Sequence, residues 1–346
     1  MKDDSEITIL TNSVTSIAGH WDEGDPFVDP AEIKAVLGWE IKPEGLCKDD
    51  ICIPVNHEQS INHQERYNLR TVAHLTGHPT LISQELKTIT IGQPASLRSS
   101  ALRDKRAPDF ILPDIEGVDR AFSDWAGKKR LLVAFSSWWG CAFDLPGWQE
   151  LHEELQEEGF TVIAVAIDEN LDSIIELANG VTYPVLMDKD HLLTELFAIS
   201  NVPSVIWIDE DGKISRPAAS EFGTDTFSEI TGISREGHMQ QVREWVRDET
   251  LPEDASFIVD DLSDEEIQAR LHFRLAAHLR RNNMIAESEK HFDYAIELAP
   301  LDFTIARASM PLRGGDPFGE EFFELYQKYQ DAGSPFHGIP RKSQTS

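Results

Sequence analysis

Two apolar runs in the middle of the chain restrict its fold more than any other feature. Residues 131–135 (LLVAF) and 160–167 (FTVIAVAI) carry no charged side chain, which is typical of strands buried on both faces of a sheet. Between the two runs, apolar residues recur at helical spacing, at Leu145, Trp148, Leu151 and Leu155. A strand, a helix and a second strand in this order predict a βαβ unit, and therefore an α/β fold.

The length of 346 residues allows two or three domains. We expect an N-terminal domain over residues 1–100, an α/β domain over 105–250 and a helical region over 260–332. An insertion is expected within the second domain, near residues 216–238. Residues 93–106 are rich in Ser, Arg and Ala, and we interpret them as a linker.

The N-terminal domain shows α/β features and one hairpin. A strand is predicted at residues 7–10 and a helix at 30–37, which Gly38 ends. Pro, Gly and Asp separate short apolar runs over residues 38–55, a pattern that indicates a turn or hairpin. A second helix is predicted at residues 67–75.

The C-terminal helical region has the spacing of one tetratricopeptide-like helix pair. The positions concerned are Leu275, Ala276, Leu279, Ser288, Phe292 and Ala295. Because a single pair cannot bury its own apolar face, it must pack on the rest of the chain or on a protein partner. An ordinary helical hairpin is the alternative.

The charge of the chain excludes several kinds of partner. The net charge is −30, whereas binding to nucleic acid or to an anionic membrane needs clustered Lys and Arg.

No apolar run approaches the roughly 18–20 residues that a membrane span requires. The first residues, MKDDSE, are acidic and lack the apolar stretch of a secretory signal. We therefore expect a cytoplasmic protein.

The chain has three cysteines, Cys47, Cys52 and Cys141. This odd and low number does not resemble a disulfide framework, so reactive or metal-binding roles are considered. Cys47 and Cys52 are followed by His57 and His63. The four residues could bind zinc, the two cysteines could form a local disulfide that exchanges electrons with Cys141, or the thiols could be idle.

Five short motifs occur in a fixed order along the middle of the chain. They are residues 107–113 (APDFILP), 135–138 (FSSW), 141–146 (CAFDLP), 201–204 (NVPS) and 208–214 (IDEDGKI). Together they resemble the redoxin branch of the thioredoxin superfamily, which includes AhpC/TSA proteins and TlpA-like thiol–disulfide oxidoreductases. The resemblance covers about a third of the chain and implies a thioredoxin-like central domain.

The resemblance also implies a function and a site. Cys141 would lie at a helix start, where the helix dipole and free N–H groups lower a thiol pKa. Pro203 would be the cis proline that faces the active site, and Trp138, Gly140 and Val202 would line the substrate groove. The expected activity is a thiol-dependent oxidoreductase, acting in thiol–disulfide exchange or peroxide reduction. It needs no organic cofactor or metal, acts on a thiol or disulfide, and takes electrons from a thioredoxin or a small thiol.

The sequence departs from the family at the attacking cysteine of its CxxC motif. In the preferred alignment that position is Trp139. Three explanations stay open: Cys141 acts alone, the domain is redox-inactive, or residue 139 is selenocysteine whose UGA codon is written as tryptophan. A peroxidase would need Pro and Thr seven and three residues before the cysteine, where this chain has Ala134 and Trp138.

The rival class is a binding protein that uses the thioredoxin fold only as a scaffold. Trp138 and Trp139 would then form an apolar contact surface, and the C-terminal helices would dock a partner. A lowered pKa of the Cys141 thiol would favour catalysis. His238, Asp168 and Asp209 are expected to have structural roles, because a lone histidine or a strand-end aspartate is most often structural.

Overall fold

A computed structural model describes residues 5–55, 66–138, 143–226, 228 and 234–340. Its contacts divide the chain into two compact units. Unit 1 comprises Met1–Ser96 and Asp264–Leu298, and unit 2 comprises Leu97–Ser263 and Ala299–Ser346. The division into three consecutive domains stays a prediction.

The described elements are numbered along the chain. The strands are β1 (Ser5–Leu10), β2 (Val14–Asp22), β3 (Asp25–Val28), β4 (Glu40–Lys42), β5 (Gly45–Lys48), β6 (Ile51–Ile53), β7 (Tyr67–Asn68), β8 (Thr80–Ser83), β9 (Thr88–Ile91), β10 (Ile111–Pro113), β11 (Asp119–Ala121), β12 (Lys129–Phe135), β13 (Phe160–Ala166), β14 (Val185–Met187), β15 (Ser204–Ile208) and β16 (Ile214–Ala219). The α-helices are α1 (Pro30–Leu37), α2 (Leu69–Leu75), α3 (Ala95–Leu102), α4 (Leu145–Leu155), α5 (Leu171–Leu177), α6 (Leu192–Leu196), α7 (Arg235–Asp248), α8 (Asp264–Arg281), α9 (Ile285–Leu298), α10 (Ala306–Arg313) and α11 (Glu320–Asp331).

Unit 1 is built on a sheet with the strand order β7-β3-β2-β1-β9-β8. Strand β1 is antiparallel to β2 and parallel to β9. Helix α1 ends as predicted, since Gly38 adopts φ 73° and donates its N–H to the carbonyl of Lys34. Helix α2 begins two residues later than predicted, because Tyr67–Asn68 forms β7 and the Asn68 side chain accepts a hydrogen bond from the amide of Thr71 at 3.0 Å.

The predicted C-terminal helix pair, α8 and α9, belongs to unit 1. Its six predicted apolar-face positions are all buried, and the Ser288 hydroxyl joins the helices by donating to the carbonyl of Ala276 at 3.0 Å. Leu275 and Leu279 pack against Leu10. The pair therefore buries its apolar face on the chain itself, as a pair without repeats must.

The predicted linker, residues 93–106, contains the boundary between the two units, at Ser96 and Leu97, but most of it is helical rather than irregular. Helix α3 occupies Ala95–Leu102, and its Arg98 and Ala101 side chains are buried. The Arg98 guanidinium donates to the Asp261 carboxylate at 2.9 Å. Because the partner of Arg98 lies far along the sequence, composition alone could not reveal this packing.

Unit 2 contains the predicted α/β layer. Its five-stranded sheet has the order β14-β13-β12-β15-β16, with β12 parallel to β13 and antiparallel to β15. Every residue of β12 and β13 is buried, which explains their apolar sequences. Helix α4 connects these two strands. The central fold is thioredoxin-like, and both apolar runs lie in the middle of its sheet.

Residues 299–340, called here the C-terminal segment, pack against the same sheet. The amide of Phe303 donates to the carbonyl of Ser200 at 2.9 Å, and the amide of His337 donates to the Ser200 hydroxyl at 3.1 Å. The amide of Ile339 donates to the carbonyl of Ala218, in β16, at 2.8 Å. Among the described helices of the chain, none has the length and apolar composition to cross a membrane.

Candidate active site

The site is built first from the ends of the two central strands. After β12, the amide and hydroxyl of Ser137 both donate to one carboxylate oxygen of Asp168, at 2.7 and 2.6 Å. The other Asp168 oxygen accepts from the amide of Asn170 at 2.8 Å. Asp168 follows β13, so this carboxylate ties the chain leaving one strand to the chain leaving the next.

The loop before β15 supplies a cis proline. The Val202–Pro203 peptide bond is cis, as the resemblance implies, and both residues are buried. Ser204, the first residue of β15, pairs with Ala134 near the end of β12. The register therefore places Pro203 at the same edge of the sheet as Ser137 and Trp138.

The start of helix α4 carries a buried carboxyl group. Asp144 is 1% exposed, and one of its oxygens accepts from the amide of Thr224 at 2.9 Å. Among the described residues, its other oxygen, Oδ2, has no hydrogen-bond partner although it is buried. Burial raises the pKa of Asp144 to about 8, against the opposing effects of the amides of Thr224 and Gly223 and the charge of Arg235.

Two glycines allow the loop at residues 222–224 to press against this helix start. A Cβ atom on Gly147 would lie 1.8 Å from the carbonyl oxygen of Gly223, and one on Gly223 would lie 2.3 Å from that of Asp144. Neither contact leaves room for a side chain. The close approach explains how backbone rather than water surrounds Asp144.

Tyr183 closes the other side of the Asp144 environment. Its hydroxyl donates to the carbonyl of Leu145 at 3.1 Å. Burial, followed by the negative charge of Asp144, raises the pKa of Tyr183. The phenol therefore stays neutral.

Trp138 packs against the C-terminal segment. The guanidinium of Arg307 lies 5.7 Å from the centre of the Trp138 ring and 3.7 Å from that of Phe322. The same group donates twice to the carbonyl of Pro317, at 3.0 and 2.8 Å. Arg307 is 1% exposed, so it is a fixed part of the wall beside Trp138.

A cavity of about 610 Å³ opens next to Trp138. It is lined by the two strand ends, by the start of α5 and by helix α10, through Ser137, Trp138, Ile167, Asp168, Glu169, Asn170, Ser173, Lys189, His191, Ala308, Pro311 and Leu312. Polar groups therefore line one side and small apolar groups from α10 the other. A pocket of this size accommodates a small molecule or a short extended chain.

This architecture agrees with the comparisons with known proteins. Residues 104–216 match the AhpC/TSA family. The matched segment contains β12, the start of α4, the cis proline and all of β15, so the predicted resemblance is confirmed. The C-terminal segment lies outside the match.

Relatives of the AhpC/TSA segment are named as thiol–disulfide oxidoreductases. It is similar to the Thiol-disulfide oxidoreductase ResA of Geobacillus thermodenitrificans, with 28% identity over 113 residues. The ResA of Bacillus thuringiensis strain Al Hakam shows 30% identity over 113 residues. Each alignment covers 32% of this chain and 65% of the relative, which is less than two thirds of that protein.

Solved structures resemble the same part of the chain. One is the thiol:disulfide interchange protein, a thioredoxin family protein, from Chlorobium tepidum TLS. It has 21% sequence identity and a TM-score of 0.32, and the alignment covers 39% of this chain and 96% of that one.

The predicted site residues fall into three groups. Trp138, Val202 and Pro203 lie at the edge of the sheet where β12 ends, as described above. Cys47 and Cys52 lie in unit 1, where they form a disulfide. The remaining predicted residues, Trp139, Gly140, Cys141, His57 and His63, lie outside the described residues. The site assignments stay predictions.

A metal site finds no support in the described part of the chain. No group of three or more His, Cys, Asp or Glu side chains there is arranged to hold a metal ion. Cys47 and Cys52 are joined to each other, and a disulfide has no thiolate to offer a metal. His57 and His63 are outside the described residues, so their role as ligands stays untested.

His238 has structural partners, as expected. Its Nε2 donates to the carbonyl of Phe222 at 2.7 Å, and its Nδ1 lies 3.3 Å from the Glu221 carboxylate. Glu221 also pairs with Arg216, which in turn makes two hydrogen bonds to Asp254 at 2.8 and 3.0 Å. This buried network fixes the loop that covers Asp144.

Sequence reasoning missed two residues of the site, Asp144 and Arg307. An aspartate at a helix start is usually a solvated N-terminal residue, so nothing local marked Asp144 as buried. The available signal was its position three residues after Cys141. Arg307 gave no signal, because its aromatic partners are far away in sequence or follow it without a recognisable motif.

Proposed function

We propose that this protein is a thiol-dependent oxidoreductase that performs thiol–disulfide exchange through Cys141. The observation that carries the proposal is Asp144, a buried carboxyl group with a raised pKa and an unpartnered oxygen. It lies three residues after Cys141, at the start of helix α4. Buried titratable groups with strongly shifted pKa values are typical of active sites. The similarity of the AhpC/TSA segment to ResA supports the same conclusion.

Asp144 supplies the acid–base part of the reaction. With a pKa of about 8, the carboxyl group is mostly protonated at pH 7 and can both release and accept a proton near that pH. A thiol must lose its proton before it attacks a disulfide. Asp144 takes up that proton when it is ionised, and returns one to the thiolate that leaves.

The exchange proceeds in three balanced steps. The Cys141 thiolate attacks one sulfur of a substrate disulfide, so that a Cys141–substrate disulfide forms and a substrate thiolate leaves. A donor thiol, from a thioredoxin or a small thiol, attacks the Cys141 sulfur of this mixed disulfide, so that the second substrate thiolate leaves and a Cys141–donor disulfide forms. A second donor thiol attacks the donor sulfur of that disulfide, forms a donor–donor disulfide and releases the Cys141 thiolate. Two electrons pass from the two donor thiols to the substrate disulfide.

The substrate approaches beside Trp138 and the cis proline. The cavity next to Trp138 leads to the strand ends, and helix α10 limits its width. A space of about 610 Å³ accommodates a small disulfide or an exposed, extended segment. Because Arg307 packs on Trp138, part of that ring is not available as the partner-binding surface of the rival interpretation.

Alkylation of Cys141 in the native protein tests the proposal. Cys47→Ser and Cys52→Ser are combined so that Cys141 is the remaining thiol, and iodoacetamide labelling is followed from pH 5 to pH 10. We expect labelling with two inflections, because the thiol and the Asp144 carboxyl titrate as a coupled pair. Asp144→Asn should leave one inflection and slow the reduction of a small aromatic disulfide.

The outcomes separate the explanations. If Cys141 reacts only after unfolding, the thiol is inert and the oxidoreductase proposal fails. If it reacts with the same profile in the wild type and Asp144→Asn, the chemistry stands but Asp144 has no part in it. Consumption of hydrogen peroxide without disulfide reduction would identify a peroxidase instead.

Residue 139 carries a proposal of its own. Selenocysteine at this position would restore an attacking selenol three positions after Ser136 and two before Cys141. The mass of the peptide spanning residues 138–141, from protein made in its native host, decides between the two side chains. A selenium isotope pattern supports the proposal, and a tryptophan mass or a UGG codon rejects it. The cytoplasmic location of the protein also stays a prediction.

A further inference from the structure

Two of the three cysteines in the chain lie in a small antiparallel sheet of unit 1. Strands β4, β5 and β6 form a three-stranded sheet in that order. Cys47 of β5 and Cys52 of β6 are directly opposite each other and form a disulfide. The AhpC/TSA match begins at residue 104, so this pair is not part of the site described above.

The two cysteine residues differ in exposure. Cys47 is 1% exposed, whereas Cys52 is exposed. In the reduced form, this difference makes Cys52 the thiol that a substrate can reach. Cys47 is buried, so a substrate does not reach it directly and it reacts with the mixed disulfide that forms beside it at Cys52. An exposed attacking thiol and a buried resolving thiol are the two parts of a dithiol exchange site.

The need to stabilise the folded protein is a weak explanation for the Cys47–Cys52 disulfide. The two cysteines are five positions apart, and a crosslink that closes a short loop removes little chain entropy from the unfolded state. The adjacent pairs Leu46–Ile53 and Lys48–Ile51 already hold the strands in register. Exposed disulfides are also the more easily reduced kind.

The backbone at Cys52 faces the open side of the hairpin. The Cα atoms of Cys47 and Cys52 are 4.1 Å apart, which identifies the narrow, non-hydrogen-bonded pair of an antiparallel ladder. In such a pair, the N–H and C=O groups point away from the neighbouring strand. Among the described residues, β6 has β5 as its one neighbour, so these groups are directed to the other edge of β6, beside the exposed residue Cys52.

We propose that Cys47 and Cys52 form a second thiol–disulfide exchange site, whose substrate is an extended, cysteine-containing polypeptide that pairs with the edge of β6. Pairing of an extended chain with a sheet edge is a common mode of peptide binding. The main-chain hydrogen bonds at Cys52 place the substrate sulfur next to Sγ of Cys52. The proposal is independent of Cys141.

The reaction proposed for this second site ends in the Cys47–Cys52 disulfide that the structure contains. The Cys52 thiolate attacks a substrate disulfide, a Cys52–substrate disulfide forms, and one substrate thiolate leaves. Cys47, after losing its proton, attacks Cys52, releases the second substrate thiolate and forms the Cys47–Cys52 disulfide. Two electrons pass from the dithiol to the substrate. A dithiol polypeptide reverses the sequence and regenerates the reduced hairpin.

The test uses the full chain with Cys141→Ser, which leaves the hairpin cysteines as the only two sulfurs of this kind. Cys47→Ser is added in one variant and Cys52→Ser in a matched control. Each is incubated with a short peptide that carries an internal disulfide, and mixed disulfides are measured by mass. We expect at least about tenfold more trapped peptide on the variant that retains Cys52, since reactivity follows exposure.

A second probe separates edge pairing from simple exposure. The same peptide with N-methyl groups on the amides flanking its cysteine cannot donate to the edge of β6, and oxidised glutathione is too short to do so. We expect both to react more slowly than the unmodified peptide. Equal rates for all three probes would overturn the edge-pairing part of the proposal.

Two results would overturn the exchange site itself. One is equal trapping on the Cys47→Ser and Cys52→Ser variants. The other is a Cys141→Ser protein whose disulfide resists dithiothreitol until the protein unfolds, as a purely structural crosslink would. If Cys47→Ser does not fold, Cys47→Ala replaces it, since alanine suits the buried position. Failure of either test leaves the proposed role of Cys141 untouched.

Discussion

The AhpC/TSA segment contains two buried aspartates, Asp168 and Asp144, which differ in their hydrogen bonds. Asp168, at the strand ends, uses both oxygens to accept three hydrogen bonds. Asp144, at the start of α4, keeps one oxygen unpartnered among the described residues. A fully bonded carboxylate holds the chain in place. A buried carboxyl group without this compensation has a raised pKa, which suits it to proton transfer.

The largest expected effect is the pH dependence that Asp144 gives to stability. Its pKa is about 8 in the folded protein, against an ordinary value of 3.8. The folded state therefore binds more protons than the unfolded state between these values, and stability is lost as the pH rises through this range. Between pH 4 and pH 8, we expect the free energy of unfolding of Asp144→Asn to rise relative to that of the wild type by on the order of 5 kcal/mol.

Urea unfolding at several pH values measures this difference. Asp168→Asn is the matched control, because the new amide nitrogen cannot accept the bonds that the carboxylate accepts, and it should destabilise the protein at pH 7. If the free energies of unfolding of Asp144→Asn and the wild type differ by the same amount at every pH, Asp144 is ionised in the folded protein. The contrast between the two aspartates would then be lost.

The next effect tests the close packing around Asp144. In Gly147→Ala, the new Cβ would meet the carbonyl oxygen of Gly223 at 1.8 Å, so the loop must move. We expect the free energy of unfolding to fall by about 3 kcal/mol. Gly237→Ala in helix α7 is the control. Nothing lies within 4 Å of its Cβ position, so alanine should stabilise it by about 0.5–1 kcal/mol. If both variants change the free energy of unfolding equally, the loop at residues 222–224 moves without an energetic cost.

The third effect tests the structural role of Asp168. Asp168→Ala removes the acceptor for the amide of Ser137, and we expect unfolding to become easier by about 2–3 kcal/mol. Asp172→Ala, at an exposed position in α5, should change stability by less than about 0.5 kcal/mol. Thermal unfolding midpoints of the two variants make the comparison. A loss at both sites would point to a general charge effect.

The smallest expected effect tests whether the hydrogen bond of Tyr183 contributes to the pH dependence that we assign to Asp144. Tyr183→Phe removes the hydrogen bond to the carbonyl of Leu145, which should lower the free energy of unfolding by about 1 kcal/mol. Because the Tyr183 pKa is raised, the phenol is neutral from pH 4 to pH 8 and the loss should be constant there. A loss that varies with pH would assign part of the Asp144 effect to this bond.

Much of the fold was predictable because its signals are local. The apolar runs of β12 and β13 reflect strands buried on both faces, and Gly38 marks the end of α1 through its left-handed conformation. Helix α3 was missed because Arg98 is buried through Asp261, a partner 163 residues away. The short motifs likewise predicted the cis proline and the position of Trp138. They did not predict Arg307, whose contacts depend on the folding of the C-terminal segment.

The sequence by itself therefore determined the βαβ unit formed by β12, α4 and β13, the family resemblance and the residues that motifs mark. These properties follow from periodicity and from residues close together in the chain. The tertiary structure decided which aspartate keeps an unpartnered oxygen and which cysteine of the hairpin is exposed. The physical reason is that burial is set by distant residues: the loop that covers Asp144 comes 80 positions later, at Thr224.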